Sequence, residues 1–340
     1  MMTMPSPTMT VSMAASRYLD SVLLARSANT ARTYRNGMNV FLQVLRIQKI
    51  DPDKQPIQQL PEDAIVWLAT ALKDNAPTTE RLYLTTVTGF FEFIAAENLA
   101  TVNLARVRLL IRQRARRPGI RLPQFPRDAI DLILEKIESL TTKPVDGPAE
   151  RLRNLRDRAF LITLADTGLR VHEACGLRRG DLDWHEGRAI IIGKGDRQAV
   201  VRFSKRAQNA LKDYLKARAE LDGAAGRALT ALPLFARHDL GAGKKVKPIT
   251  TATGRNIVEG RVNEFLGADA AERITPHSFR HYFVTRVLQV SGNLKLAQEL
   301  ARHKNISVTQ RYAHLSDNEL DMGYHEVFEG AVNNFDFPMQ

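Results

Sequence analysis

Apolar residues recur every three or four positions through most of this chain. Between residue 12 and about residue 112, four stretches carry that spacing: "SRYLDSVLL", "TARTYRNGMNVFLQVLRI", "PEDAIVWLATALKD" and "TTERLYLTTVTGFFEFIAAENL". The spacing predicts four helices in a small bundle over residues 12–112, preceded by a tail over 1–11. Asn29 and Thr30 stand where a helix cap belongs, Pro61 followed by Glu62 and Asp63 marks a helix start, and Pro77-Thr78 marks another.

The periodicity then stops. "RQRARRPGIRLPQFPR", residues 112–127, holds six arginines, three prolines and no acid, and proline at that density predicts an extended linker over 113–127. From residue 128 the pattern is mixed. "RDAIDLILEKIESL" and "NLRDRAFLITLADTG" predict helices, the second ending at Gly168 as a left-handed cap. "RAIIIGKGDRQAVVRF" is two short apolar runs around Gly-Lys-Gly-Asp, the pattern of a β-hairpin. Helical spacing returns in "SKRAQNALKDYLKARAEL", "GRNIVEGRVNEFLG", "TPHSFRHYFVTRVLQV", "LKLAQELARH" and "SVTQRYAHL", and Ser316 with Glu319 forms a capping box for one more segment. The second domain, 128–325, is therefore expected to be mainly α with a small β-hairpin or sheet, an α+β fold. Residues 326–340 form a tail. From Glu319 onward the chain has acids and no Lys or Arg, and Val327, Phe328, Val332, Phe335 and Phe337 suit docking on protein.

Composition narrows the partner. The chain has 340 residues, 44% of them hydrophobic, enough for two packed domains. Lys and Arg number 49 against 37 Asp and Glu, a net charge of +12, which favours a polyanion and nucleic acid first, although ribosomal and membrane-surface proteins are equally basic. In that setting the linker becomes a strap along a phosphate backbone, with Arg112, Arg114, Arg116, Arg117 and Arg121 as its candidate DNA contacts. Cys175 is the only cysteine, which rules out an intrachain disulfide and a cysteine-based zinc site. The N-terminus lacks a signal-peptide pattern and no stretch approaches the ~18 apolar residues of a membrane span, so the expected location is the cytoplasm.

Three short stretches mix cations and imidazoles with helix-forming residues. In "TPHSFRH", Thr275 as cap and Pro276 at the first helical position put His277 and Arg280 on one face, beside a helix end that favours an anion. The plainer alternative is a capped surface helix with incidental cations. His277 and His281 also have zinc-helix spacing, but Ser278 stands where a glutamate base belongs. In "ADTGLRVHEACGL", Arg170 follows a helix stop and can present a rigid bidentate fork, with Glu173 one turn later to hold it or His277; a surface ion pair is the alternative. Lys194 sits at the hairpin tip, where a mobile ammonium can protonate a departing alkoxide. In "LARHKNISVTQRY", His303 ends one helix and Tyr312 lies within the next, with mostly polar neighbours where a core aromatic would have apolar ones. A phenol needs cations or a base nearby to act as a nucleophile near neutral pH. Together these groups suit attack of Tyr312 on a DNA phosphodiester: Arg170, Arg280 and His303 clamp the nonbridging oxygens, Lys194 protonates the leaving oxygen, and His277 holds the tyrosine proton. This scheme needs no metal or other cofactor.

These boxes resemble those of the tyrosine recombinase (phage integrase) family: "TGLRVHEACGL" its arginine box, "GKGDRQ" its lysine hairpin, "HSFRH" its His-x-x-Arg box and "LARHKNISVTQRY" its His-to-Tyr box. The resemblance implies that Arg170, Glu173, Lys194, His277, Arg280, His303 and Tyr312 are the functional set. It also implies a core-binding bundle and a catalytic domain clamped around duplex DNA at a specific site, and a homotetramer on two sites formed from monomers or dimers. Cleavage through a 3′-phosphotyrosine and exchange through a Holliday junction follow, without ATP or metal. The C-terminal tail is expected to dock on a neighbouring protomer. The chain opens almost directly on the bundle, which by analogy implies that no arm-binding module precedes it. One residue departs from the pattern: the position before the second histidine is usually glycine in the family and is Arg302 here, where a side chain would crowd the turn or add a phosphate contact. Two other functions remain open on sequence alone, a type IB topoisomerase-like nicking and resealing enzyme and a noncatalytic DNA-binding protein on the same fold.

Overall fold

The structure is a computed structural model and describes residues 9–116, 127–141, 147–193, 197–239, 241 and 245–310. The chain divides into two compact units, Met1–Arg121 and Leu122–Gln340, at a point inside the basic stretch.

Among the described residues the first unit has five α-helices, where sequence spacing predicts four: α1 (Val11–Ala25), α2 (Ala28–Ile47), α3 (Ala64–Ala71), α4 (Pro77–Ala96) and α5 (Leu104–Arg114). The additional helix is α5. Its arginines mask a narrow apolar stripe of which only Val107 is fully buried, so its period is weak in the sequence. Asn103 caps it by accepting from the Arg106 N–H at 3.0 Å. The predicted linker start at 113 therefore moves, because α5 continues through Arg114. Two helix starts also move. The α2 cap is Ser27, whose Oγ accepts from the Thr30 N–H at 3.3 Å, in place of Asn29 or Thr30. α3 begins at Ala64 because Glu62 and Asp63 turn to Arg106, each 2.9 Å from its guanidinium, and so join α3 to α5. A core of aromatic and aliphatic side chains, including Phe41, Phe90 and Phe91, fills this unit.

The second unit contains α6 (Arg127–Ser139), α7 (Pro148–Thr167), α8 (Val171–Gly176), α9 (Lys205–Ala217), α10 (Ala219–Gly223), α11 (Thr251–Leu266), α12 (Ala268–Arg273), α13 (Pro276–Ser291), α14 (Leu294–Ala301) and α15 (Ile306–Gln310). The hairpin is present as β2 (Arg188–Gly193) and β3 (Arg197–Arg202), paired antiparallel, and a short β1 (Leu182–Asp183), too brief to show a period in the sequence, adds a third strand at the β2 edge. The fold is mainly helical with this small sheet.

α7 is the axis of the unit, with Phe160, Leu161, Ile162 and Leu164 wholly buried. It stops at Gly168, whose left-handed φ of 59° ends the helix as expected. A Cβ on Gly168 would come within 2.4 Å of Phe283 on α13, so glycine also permits α13 to pack there. Gly254 on α11 plays the same part for α8, since a Cβ there would meet Cys175 and Val171 at 2.9 Å. Val284 on α13 packs with Ala297 and Ala301 of α14, which fixes the corner leading to α15.

Candidate active site

Four helix ends meet around Gly168. The turn after α7 carries Arg170 into α8. Glu173 caps this start from inside: Oε2 accepts from the Arg170 backbone N–H and Oε1 from its Nη1, both at 2.8 Å. The carboxylate is buried, whereas the Arg170 side chain is 43% exposed. Burial pushes the Glu173 pKa up, but the Arg170 N–H, the charge of Arg302 and the Arg170 guanidinium outweigh it and hold the carboxyl below the usual range.

Arg280, in the first turns of α13, is buried. Its Nη1 donates to the Gly168 carbonyl and its Nη2 to the Ala301 carbonyl, the last residue of α14. These carbonyls belong to two helix C-termini, which orient the guanidinium plane and satisfy groups the helices leave open. Pro276 at the first position of α13 and the Thr275 N–H donating to Ser278 Oγ at 3.1 Å define that helix start.

His277 lies on the exposed rim, its ring edge-on to His281 with centroids 4.3 Å apart. Partial burial, then the charges of Arg280 and Arg170, lowers its pKa. His303 follows the corner at the end of α14, and its Nδ1 lies 2.9 Å from Oγ1 of the buried Thr309 on α15. Burial first, then Arg280, Arg170, Arg302 and His277, brings its pKa down to about 4, and His281 falls to about 4 as well. The imidazoles are thus neutral near pH 7. Arg302, next to His303, reaches the Gly168 carbonyl that Arg280 also engages and the Glu173 carboxylate that holds Arg170, so residues from positions 168 to 303 converge on one locus. A cleft of about 520 Å³ opens beside it, lined by Arg170, His172, Arg255, Glu259, His277 and Arg280 among others.

The structure therefore brings Arg170, Glu173, His277, Arg280 and His303 together. Glu173 engages Arg170, one of the two partners the sequence allowed it. Lys194 and Tyr312 lie outside the described residues, as do Arg117, Arg121, the Ser316 capping box and the C-terminal tail. Arg112 and Arg114 are exposed at the end of α5. Arg116 is held inside the first unit: its Nε donates to Glu80 at 2.5 Å and its Nη2 to the Leu72 and Asn75 carbonyls. Thr309 and the Gly168 carbonyl gave no signal in the sequence, since each acts only through a distant partner.

The sequence signature of the phage integrase family matches residues 134–319, more than half of the chain. The chain belongs to that family. Among its relatives, tyrosine recombinase XerC of Thermodesulfovibrio yellowstonii is 31% identical over 85% of this chain and 86% of its own length, and tyrosine recombinase XerD of Mycobacterium tuberculosis is 30% identical over 92% and 95%. The fold is shared with XerH site-specific recombinase in a post-cleavage complex with a palindromic difH substrate (TM-score 0.65, 19% identity, 93% of this chain and 84% of that one). It is shared too with a lambda integrase dimer bound to a COC′ core site (TM-score 0.61, 17% identity, 90% and 96%). The protein is a site-specific tyrosine recombinase. Among its described residues no helix is long and apolar enough to cross a membrane.

Proposed function

We propose that this recombinase breaks and rejoins duplex DNA at a specific site through a 3′-phosphotyrosine formed on Tyr312. The observation that carries the reading is the convergence of Arg170, Arg280 and His303 at one locus: two guanidiniums fixed by buried acceptors, and an imidazole oriented by Thr309. Tyr312 attacks phosphorus. Charge growing on the nonbridging oxygens is stabilised by Arg170, Arg280 and a neutral His303 N–H. His277 holds the phenol proton, and Lys194 gives a proton to the departing 5′-oxygen. The bond energy is kept in the phosphotyrosine, and the released 5′-hydroxyl of a second duplex reverses the step. No metal or ATP takes part.

The family implies four protomers on two sites and a Holliday junction between the two exchanges. The dimer on DNA formed by the structurally similar lambda integrase supports oligomeric assembly here. Residues 326–340 dock on a neighbouring protomer, and the enzyme works on DNA in the cytoplasm. Both candidate domains, 12–112 and 128–325, contact the duplex, and Arg112, Arg114, Arg117 and Arg121 track its backbone.

A nicked suicide substrate drawn from the DNA beside the gene tests the chemistry. Denaturing gels are expected to show a covalent adduct with wild-type protein and none with Tyr312→Phe, while both bind the DNA. An adduct that persists in Tyr312→Phe would discard this nucleophile, and binding without any adduct would discard the reaction.

A further inference from the structure

Arg302 stands where glycine would fit with less strain. Its φ of 58° and ψ of 42° are left-handed, and the corner is closed by the Arg302 N–H to the Glu299 carbonyl and the His303 N–H to the Gln298 carbonyl, both at 3.0 Å. This is a Schellman-type helix end, the setting in which glycine avoids the steric penalty of a Cβ. An arginine merely tolerated at such a corner would swing its head into water.

This one turns inward. Its side chain is 12% exposed, and Nη2 lies 3.3 Å from both the Glu173 Oε2 and the Gly168 carbonyl. Nη1 is 3.5 Å from the Leu300 carbonyl, and Nε is buried with no hydrogen-bond partner among the described residues. A left-handed backbone on a residue other than glycine is a cost, and such costs gather where function requires them. The contacts specify the use. Glu173 Oε2 is shared between the Arg170 N–H and Arg302, and the Gly168 carbonyl is shared between Arg280 and Arg302. Arg302 is therefore the link between the Arg170–Glu173 pair and the anchor of Arg280.

We infer that Arg302 is a positioning residue for strand cleavage: by sharing Glu173 with Arg170 and Gly168 with Arg280, it locks both phosphate-facing guanidiniums in one relative geometry. This rests on the reading given under Proposed function. Its Nη1 and Nη2 point at protein acceptors, so its effect reaches the phosphate through Arg170 and Arg280. Methionine in its place keeps bulk and loses the fork. Glycine relieves the corner and loses the fork, which makes the two variants independent of any folding defect in the first.

The test is single-turnover cleavage of a nicked substrate carrying either the natural scissile phosphate or an uncharged methylphosphonate. Arg302→Met and Arg302→Gly are expected to slow adduct formation on the phosphate by roughly 10- to 100-fold, the scale of a misplaced catalytic group. On the methylphosphonate, which has less charge to clamp, the deficit relative to wild type shrinks to within about threefold. Arg302→Lys recovers only part of the rate because an ammonium lacks the planar fork. The double variant Glu173→Gln, Arg302→Met is expected to be no slower than the slower single variant, since both break one linkage. Arg302→Gly cleaving at the wild-type rate overturns the inference, as do equal losses on both substrates or strictly multiplicative losses in the double variant. If wild-type protein itself forms no adduct, the underlying reaction falls and takes this role with it.

Discussion

Glu173 grips Arg170 at two points, the backbone N–H and the guanidinium, each at 2.8 Å. A carboxylate buried this deeply is stable as an anion only while both contacts and Arg302 persist. Glu173→Ala is therefore expected to lower unfolding free energy by roughly 1–3 kcal/mol at pH 7 in urea titrations. The Glu173 pKa is depressed in the folded state, so its contribution is present above the unfolded value and fades as pH falls through the folded one. The gap between wild type and Glu173→Gln should accordingly narrow toward pH 3, and a gap that widens would contradict the assigned ion pairing.

The imidazoles titrate with the same sign for a different reason. His303 and His281 are pulled down to about 4, so between that value and the unfolded value of ~6.5 the unfolded chain binds more protons than the folded one. Stability contributed by the neutral rings is present above pH ~6.5 and lost as pH falls through that window, by roughly 1 kcal/mol per ring from pH 7 to 5 after solvent screening. His303→Gln should flatten this decline in urea melts. A bound phosphate raises the imidazole pKa values, so DNA binding near pH 5.5 is expected to take up protons while the rings stay neutral near pH 7, which calorimetry in buffers of different ionisation enthalpy would detect.

Gly168→Ala combines a left-handed backbone with a Cβ 2.4 Å from Phe283. The loss should be roughly 2–4 kcal/mol, from the handedness penalty and overpacking together. Because the Gly168 carbonyl anchors Arg280 and Arg302, cleavage should fall more steeply than DNA binding. Thermal melts alongside adduct assays separate the two effects.

Glu80 is fully buried in the first unit, accepting from the Arg116 N–H at 3.0 Å, from Arg116 Nε at 2.5 Å and from Lys73 Nζ at 3.2 Å. Glu80→Ala leaves those donors without their acceptor, and because the Lys73 and Arg116 side chains are partly exposed and can turn to water, the cost should be roughly 1–3 kcal/mol. Arg116 should then become an early trypsin site in limited proteolysis. Resistance equal to wild type would show that other contacts hold this segment.

Lys194 is assigned the proton for the 5′-oxygen. Lys194→Ala should slow cleavage on the order of 10²- to 10⁴-fold. A substrate with sulfur at the bridging 5′ position expels a thiolate that needs no proton, so on it the variant should approach the wild-type rate. An undiminished defect on the sulfur substrate would move Lys194 from acid to structural support.

Helix capping, helical periodicity and the hairpin pattern are local, and for that reason the sequence by itself specified most of the helices, the Gly168 stop, the β2–β3 pair and the identities of Arg170, His277, Arg280 and His303 as neighbours in chemistry. It missed α5, where arginines every few residues hide the apolar stripe, and the short β1, which is too brief to show a period. It also misplaced the starts of α2 and α3, the latter because Glu62 and Asp63 serve a partner more than forty residues away. Which partner each charge takes is a matter of through-space distance, and only the tertiary structure decided it. Glu173 chose Arg170 and Arg302, Arg116 went to Glu80 within its own unit, and Arg302, visible in the sequence as an unusual residue at a turn, became a buried brace because α7 and α14 end side by side.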